Sequence, residues 1–296
     1  MIAAGSRTTL APSWSDCRFL TCSVLPVRRA CNLRCPFCFS KSSISALERE
    51  STALERLDVS RYYRFARERG ASRLVITGGG EPLLRPDLVV ALVREGRRTF
   101  DEVACFTNGT HLTTDLSLRL ADAGLSYVCW SRHAAHDAEN RLLMGDGAPD
   151  LAAFIAAAAP LRIRATCVMT RGAVDDRADV AAYMTTLASH GVREFTFKHT
   201  YVAYPGSLFR GSTEDTWADA HRVEDDPFVG EGQVLGALPW GPIIRKIGEL
   251  QVCFYREPTP SWELEHQICR STNLLSDGRV YASLEDTRSL LFQLPS

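Results

Sequence analysis

Cys31-Asn32-Leu33-Arg34-Cys35-Pro36-Phe37-Cys38 is the stretch on which the reading of this chain turns. Its three cysteines follow one another at spacings of four and three, with an aromatic residue directly before the third. Iron–sulfur clusters are held by cysteine thiolates, normally four of them. A compact set of three leaves one iron of a 4Fe-4S cluster without a protein ligand, and an open metal position is where an outside molecule coordinates. The competing reading is a zinc site or three incidental thiols. A structural zinc wants four ligands, and no histidine or further cysteine lies close downstream of Cys38.

Outward from this stretch the chain alternates strand and helix. Ser23 to Arg28 reads as a short strand that delivers the cysteine loop, and residues 44–69 read as a helix ended by Gly70. Arg73 to Thr77 reads as a buried strand running straight into Gly78-Gly79-Gly80-Glu81-Pro82. Val103 to Phe106 leads into Thr107-Asn108-Gly109, and Ser126 to Trp130 into Ser131-Arg132-His133. Arg162 to Met169 and Arg193 to Lys198 are the fifth and sixth strands, with helices expected at 87–98, 115–123, 150–159 and 179–189. Six alternations of strand and helix mean a parallel sheet with right-handed crossovers. A doubly wound open sheet is the other architecture this pattern allows. Each motif falls just after a strand, where α/β barrels carry their chemistry.

The cysteine stretch resembles the CxxxCxxC signature of the radical S-adenosylmethionine (SAM) enzymes. Gly78-Gly79-Gly80-Glu81-Pro82 resembles the same family's Gly-Gly-Glu-Pro loop, with one glycine more than usual, and Thr107-Asn108-Gly109 resembles its Thr-Asn-Gly. The resemblance covers roughly residues 23–200. It implies an α/β fold, a partial (βα)6 TIM-like barrel with an irregular C-terminal extension. It implies a 4Fe-4S cluster on Cys31, Cys35 and Cys38, with SAM bound at the open iron. In that family an electron from the cluster cleaves SAM to methionine and a 5′-deoxyadenosyl radical, which takes hydrogen from an unactivated C–H bond. Phe37 is then expected near the adenine, Gly79, Gly80 and Glu81 at the SAM amino group, and Asn108 and Ser131 among the SAM contacts. Ser131 is equally read as a helix-capping hydroxyl. An electron donor such as flavodoxin or ferredoxin is the implied protein partner.

Composition sets the bounds. The chain has 296 residues, a net charge of −1 and 45% apolar residues, which fits a globular protein with a sizeable core. That charge gives no reason to expect nucleic acid or a membrane surface as a partner. Ten cysteines show no regular spacing that would suggest a disulfide framework. No N-terminal apolar run is long enough for a signal peptide, and none spans a bilayer, so a cytoplasmic location is expected.

Residues 1–22 are expected to be a loosely ordered lead-in, 23–199 the barrel and 200–296 an extension that covers the substrate. The extension holds seven of the 14 prolines, which argues for irregular structure, and Asp277-Gly278 marks a hairpin turn. With only Cys253 and Cys269 it lacks a Cys-x-x-Cys pair, so an added iron–sulfur domain is not expected; one extra cluster on Cys17, Cys22, Cys253 and Cys269 stays open. Lys198, His199 and Arg164 are expected at the barrel mouth. The segment 213–231 is strongly acidic. It reads either as a solvated loop or as a collar in which Asp219, Glu224, Asp225 and Asp226 gather a polycationic substrate. These features resemble the aminoglycoside epimerases, which implies a cationic aminosugar substrate and a thiol, Cys253, that returns hydrogen to the far face of the carbon. Modification of a ribosomally made peptide is the alternative enzyme reading, and a non-catalytic iron–sulfur or zinc protein is the alternative from another class.

Overall fold

The computed structural model describes residues 12–47 and 54–295. Its frame is one twelve-stranded sheet. Its first six strands are β1 (Thr21–Val24), β2 (Arg73–Ile76), β3 (Glu102–Thr107), β4 (Tyr127–Ser131), β5 (Ile163–Val168) and β6 (Glu194–Lys198). The rest are β7 (Gln233–Ala237), β8 (Ile243–Ile247), β9 (Leu250–Tyr255), β10 (Thr272–Leu274), β11 (Arg279–Tyr281) and β12 (Leu290–Gln293). The sheet order is β12-β11-β10-β1-β2-β3-β4-β5-β6-β9-β8-β7.

β1 to β6 pair in sequence order, all parallel, as alternating strands and helices demand. Side-chain alternation then sorts the two faces. Leu74 and Ile76, Ala165 and Cys167, and Phe195 and Phe197 enter the large apolar core beneath the helices. Arg73, Thr166, Thr196 and Cys253 occupy the alternate positions and line the concave face. The helices are capped by their own sequence: Asp58 accepts from Arg61 N ahead of α1 (Val59–Glu68), and Thr113 from Leu116 N ahead of α3 (Thr114–Asp122). Between these lies α2 (Pro86–Gly96), with proline at its first position. α4 (Asp137–Met144) packs Met144 against Leu33 of the cysteine loop, whereas α5 (Leu151–Ala157) and α6 (Arg177–Ser189) complete the half-barrel's outer layer.

The structure corrects several expectations. The helix read over 44–69 is α1 alone among the described residues, preceded by short 3-10 turns at Ile44–Leu47 and Leu54–Arg56; residues 48–53 lie outside the described residues. Asp58 sets the true start by capping. Residues 1–11 of the lead-in lie outside the described residues, and residues 12–22 are ordered: Trp14 and Cys17 are buried, and Arg18–Phe19 pairs in parallel with Ile268–Cys269. Residues 200–296 are not largely irregular, since they supply β7 to β12, α7 (Thr213–Ala220) and α8 (Pro260–His266). Two of those strands extend the parallel sheet, β9 beside β6 and β10 beside β1. The prolines sit where they break nothing: Pro260 starts α8, and Pro239 and Pro242 stand in the turn between β7 and β8. The hairpin at Asp277-Gly278 joins β10 to β11, with Gly278 at φ +86°.

Candidate SAM and cluster site

The site is built at the C-terminal rim of the parallel strands. β1 leads into the cysteine loop, in which Cys31 is exposed and Cys35 and Cys38 are half-buried. β2 leads into the glycine loop, and the two loops lie side by side. Gly79 N donates to Val27 O at 3.2 Å and Glu81 N to Ala30 O at 2.8 Å. The backbones approach so closely that a Cβ on Gly80 would overlap the Ala30 carbonyl, and one on Gly79 the Arg28 carbonyl. Glycine is therefore required here for loop-to-loop packing, whatever else the backbone contacts.

Glu81 is 2% exposed and ties three strands' ends together. Its Oε1 accepts from the Thr107 hydroxyl at 2.7 Å and from Leu83 N at 2.9 Å, and its Oε2 accepts from Asn108 N at 2.8 Å. Burial pushes its pKa up, against those three donors. Asn108 Nδ2 donates to Asn32 Oδ1 at 3.1 Å and lies 3.8 Å from Cys31 Sγ. A chain of contacts thus runs from the glycine loop through Thr107 and Asn108 to the first cysteine. Thr107 is a connecting residue that the sequence signalled only by its place in the triplet.

The thiols fit a cluster. Burial pushes the Cys35 thiol up to about 12, and the neighbouring Cys38 and Cys31 charges push the same way. Burial likewise raises Cys31. Three thiolates crowded on one loop are electrostatically unfavourable alone and are relieved by bound iron. Residues 25–47 contain no other cysteine and no histidine, so this loop offers three thiols and no fourth side chain of the usual metal-binding kinds Cys and His.

Phe37 packs edge-on against His133, with ring centroids 4.7 Å apart, and lies 5.7 Å from Trp217 of α7. Ser131 ends β4. The strand register sets it level with Thr166, Thr196 and Cys253, since Ser131 pairs with Thr166, Thr166 with Thr196 and Thr196 with Cys253. Cys253 is half-buried on the concave face of β9, not on a covering loop, and burial pushes its thiol up to about 11. Cys22 faces the opposite, helix-covered side of the sheet, so Cys17, Cys22, Cys253 and Cys269 do not converge on one site.

One level lower, the concave face is closed by ion pairs. Arg164 bonds Glu194 at 2.9 Å and lies over the Tyr127 ring. Arg164 is thus on the barrel floor, because it stands second in its strand, and not at the mouth. Lys198 and His199 do stand at the mouth. Both bind buried Glu257, at 2.6 Å and 3.1 Å, and Arg270 lies 3.7 Å from the same carboxylate.

The acidic segment is largely satisfied within the protein. Glu214 pairs with Lys41, Asp219 with Arg210, Glu224 with Arg222 and Glu231 with Arg177. Asp215 is buried and Asp226 caps its own loop at Phe228 N. Asp225, with Glu224, lines a cleft of ≈ 510 Å³ beside Arg171, Asp175 and Arg222.

Half-barrel, strand-end motifs and a three-thiolate loop together define an enzyme scaffold for a site-differentiated iron–sulfur cluster. The sequence agrees: residues 25–170 match the Radical SAM superfamily, so the chain carries a domain of that family. It is 29% identical over 195 residues to the GTP 3′,8-cyclase of Aliarcobacter butzleri, covering 64% of this chain and 58% of that protein. It is 32% identical over 155 residues to the PqqA peptide cyclase of Streptomyces rochei, covering 51% of this chain and 41% of that one. The chain thus spans less than two thirds of these relatives. Among solved structures, Streptococcus suis SuiB bound to S-adenosylmethionine superposes with a TM-score of 0.61 at 15% identity, over 90% of this chain and 60% of that one. SuiB bound to its precursor peptide SuiA gives 0.58 at 13% identity, over the same shares of the two chains. At such identity the likeness is one of fold. Members of that superfamily bind a 4Fe-4S cluster and SAM as cofactors. No helix among the described residues is long and apolar enough to cross a membrane.

Proposed function

We propose that this radical SAM enzyme modifies a ribosomally made peptide. Cys31, Cys35 and Cys38 hold the cluster. The SAM site is formed by Phe37, Gly79, Gly80, Glu81, Asn108 and Ser131. Bound there, cluster and SAM supply a radical that removes hydrogen from an unactivated C–H bond. Glu81 acts indirectly, by locking the Asn108 loop onto the cysteine loop. Lys198, Tyr255 and Cys253 line the chamber the substrate enters, and the ion-paired floor keeps it from passing deeper. A flavodoxin or ferredoxin supplies the electron.

The carrying observation for the substrate is the internal pairing of the acidic segment. Asp219, Glu224 and Glu231 are each matched by an arginine of the same chain, and Glu214 by Lys41, which removes the main argument for a polycation collar. The peptide cyclase relative and the peptide-bound SuiB structure support the same reading.

Epimerisation of a cationic aminosugar is the second reading, and one observation favours it. The Cys253 thiol faces the chamber at the level of Ser131, suited to return hydrogen to a substrate radical. An S–H bond is weaker than the C–H bond it restores, so that transfer runs downhill. The test incubates reconstituted enzyme, SAM and reductant in D2O with a panel of ribosomal precursor peptides, and separately with an aminoglycoside panel. A mass change in a peptide supports the first reading. Deuterium in an aminoglycoside with an untouched peptide overturns it in favour of the second.

A further inference from the structure

The loop after β4 carries a histidine that the cofactor reading leaves unused. His133 is 4% exposed, and its Nδ1 accepts the backbone N–H of Val168, the last residue of β5, at 2.9 Å. Burial, then the nearby charges of Lys198 and Arg132, push its pKa down to about 3, so the ring is neutral. A neutral imidazole that accepts at Nδ1 carries its proton on Nε2. That Nε2–H, across the ring from Val168, has no hydrogen-bond partner among the described residues. Nε2 is not among the described side-chain atoms that are both sealed from solvent and unpaired, so this donor reaches open space where a ligand can meet it.

The surroundings define the missing acceptor. Phe37 meets the imidazole edge-to-face at 4.7 Å and 84°. Trp217 backs Phe37 at 5.7 Å and stacks on His221 at 3.9 Å. Lys198 and Arg132 stand near, which disfavours a cation, and each already pairs with a carboxylate of the chain, Glu257 and Asp137, so neither calls for an anion. The partner is therefore a flat, uncharged ring with acceptor nitrogens. A nucleobase meets all three conditions, and its polar edge takes the donor while its face takes the aromatic wall.

We propose that His133 is an adenine-binding residue for SAM, donating from Nε2 to a ring nitrogen of the base beside Phe37. The inference rests on the cofactor reading above and adds to it a residue outside the quoted motifs. Its orientation is set from behind by the Val168 N–H, so the donor is fixed before the cofactor arrives.

The test measures equilibrium binding to the reconstituted, reduced protein by the change in the cluster's electron paramagnetic resonance signal. SAM and free methionine are titrated separately; methionine carries the amino and carboxylate groups but no base. Two variants divide the imidazole's tasks. His133→Asn keeps an acceptor for Val168 N–H and loses the Nε2 donor, whereas His133→Gln keeps a donor near Nε2 and loses the acceptor. The inference predicts that His133→Asn weakens SAM about fivefold to tenfold, the loss of one hydrogen bond, leaves methionine unchanged, and is partly rescued in His133→Gln. Unchanged SAM affinity in His133→Asn overturns it, as does an equal loss for SAM and methionine in both variants. A wild-type protein that holds its cluster yet binds no SAM overturns the cofactor reading itself.

Discussion

Glu81 and Asn108 come from different strand ends and are joined directly: Glu81 Oε2 accepts the Asn108 backbone N–H at 2.8 Å, and Asn108 Nδ2 lies 3.8 Å from Cys31 Sγ. All three groups that bond Glu81 are donors, so only a carboxylate satisfies them. Glu81→Gln turns an NH2 toward an N–H or O–H group. The expected cost is about 1–3 kcal/mol, read as a lower thermal midpoint together with weaker iron retention. A variant with wild-type midpoint and iron content would show that the junction does not hold the site.

Gly80→Ala is expected to be more damaging than Gly172→Ala. The Gly80 Cβ meets the Ala30 carbonyl and forces the two loops apart, whereas Gly172, at φ +83°, has nothing within 4 Å of an added Cβ. The second change costs about 1 kcal/mol of backbone strain and leaves the site intact. Cluster loading and thermal unfolding of both variants check this; equal behaviour refutes the packing argument.

The sequence made much of this legible, for physical reasons. Six strands announced themselves by β-branched and apolar runs ended by Gly, Asn and Ser loops, and each loop motif landed at the rim. What stayed hidden was non-local. β10 is three residues long and its pairing with β1 depends on a partner some 250 residues away, which no local pattern reports. β9 reads locally as a strand fragment, and only the fold shows that Cys253 stands on the barrel wall. Helix α4 was missed because it is only eight residues long and starts after His136, which makes no side-chain cap, so neither length nor a start signal marks it. The acidic segment looked like a collar because its partners Lys41, Arg177 and Arg210 are distant or outside the run.

The pairing of that segment leads to a third prediction. Asp219→Asn and Glu224→Gln are exposed pair members, each worth less than about 1 kcal/mol. Neither is expected to change substrate KM at low salt. A salt-dependent rise in KM would restore the collar reading.

Glu263 gives a pH prediction. Burial, then the neighbouring Glu285, pushes its carboxyl up to about 8 from 4.5, and its Oε2 has no hydrogen-bond partner among the described residues. The fold thus favours the protonated form. Its contribution is complete below pH 4.5 and is lost as pH rises through 8. Glu263→Gln should show a smaller fall in thermal midpoint between pH 5 and 9 than the wild type. Parallel pH profiles would contradict the assignment.

Cys253→Ala separates hydrogen removal from hydrogen return. The variant is expected to release 5′-deoxyadenosine at a rate near the wild type, because the thiol stands on β9, away from the cysteine loop. If the product is an inverted centre, its yield should collapse; full yield would exclude Cys253 as donor.

The central claim is that Cys31, Cys35 and Cys38 hold a cluster that cleaves SAM. The most direct measurement is 5′-deoxyadenosine release from SAM by reduced, reconstituted protein, taken beside the iron chromophore. Wild type should release it, and Cys31→Ala, Cys35→Ala and Cys38→Ala should lose chromophore and release together. Release that persists in any of the three, or a wild-type protein with a full cluster that leaves SAM intact, would contradict the account.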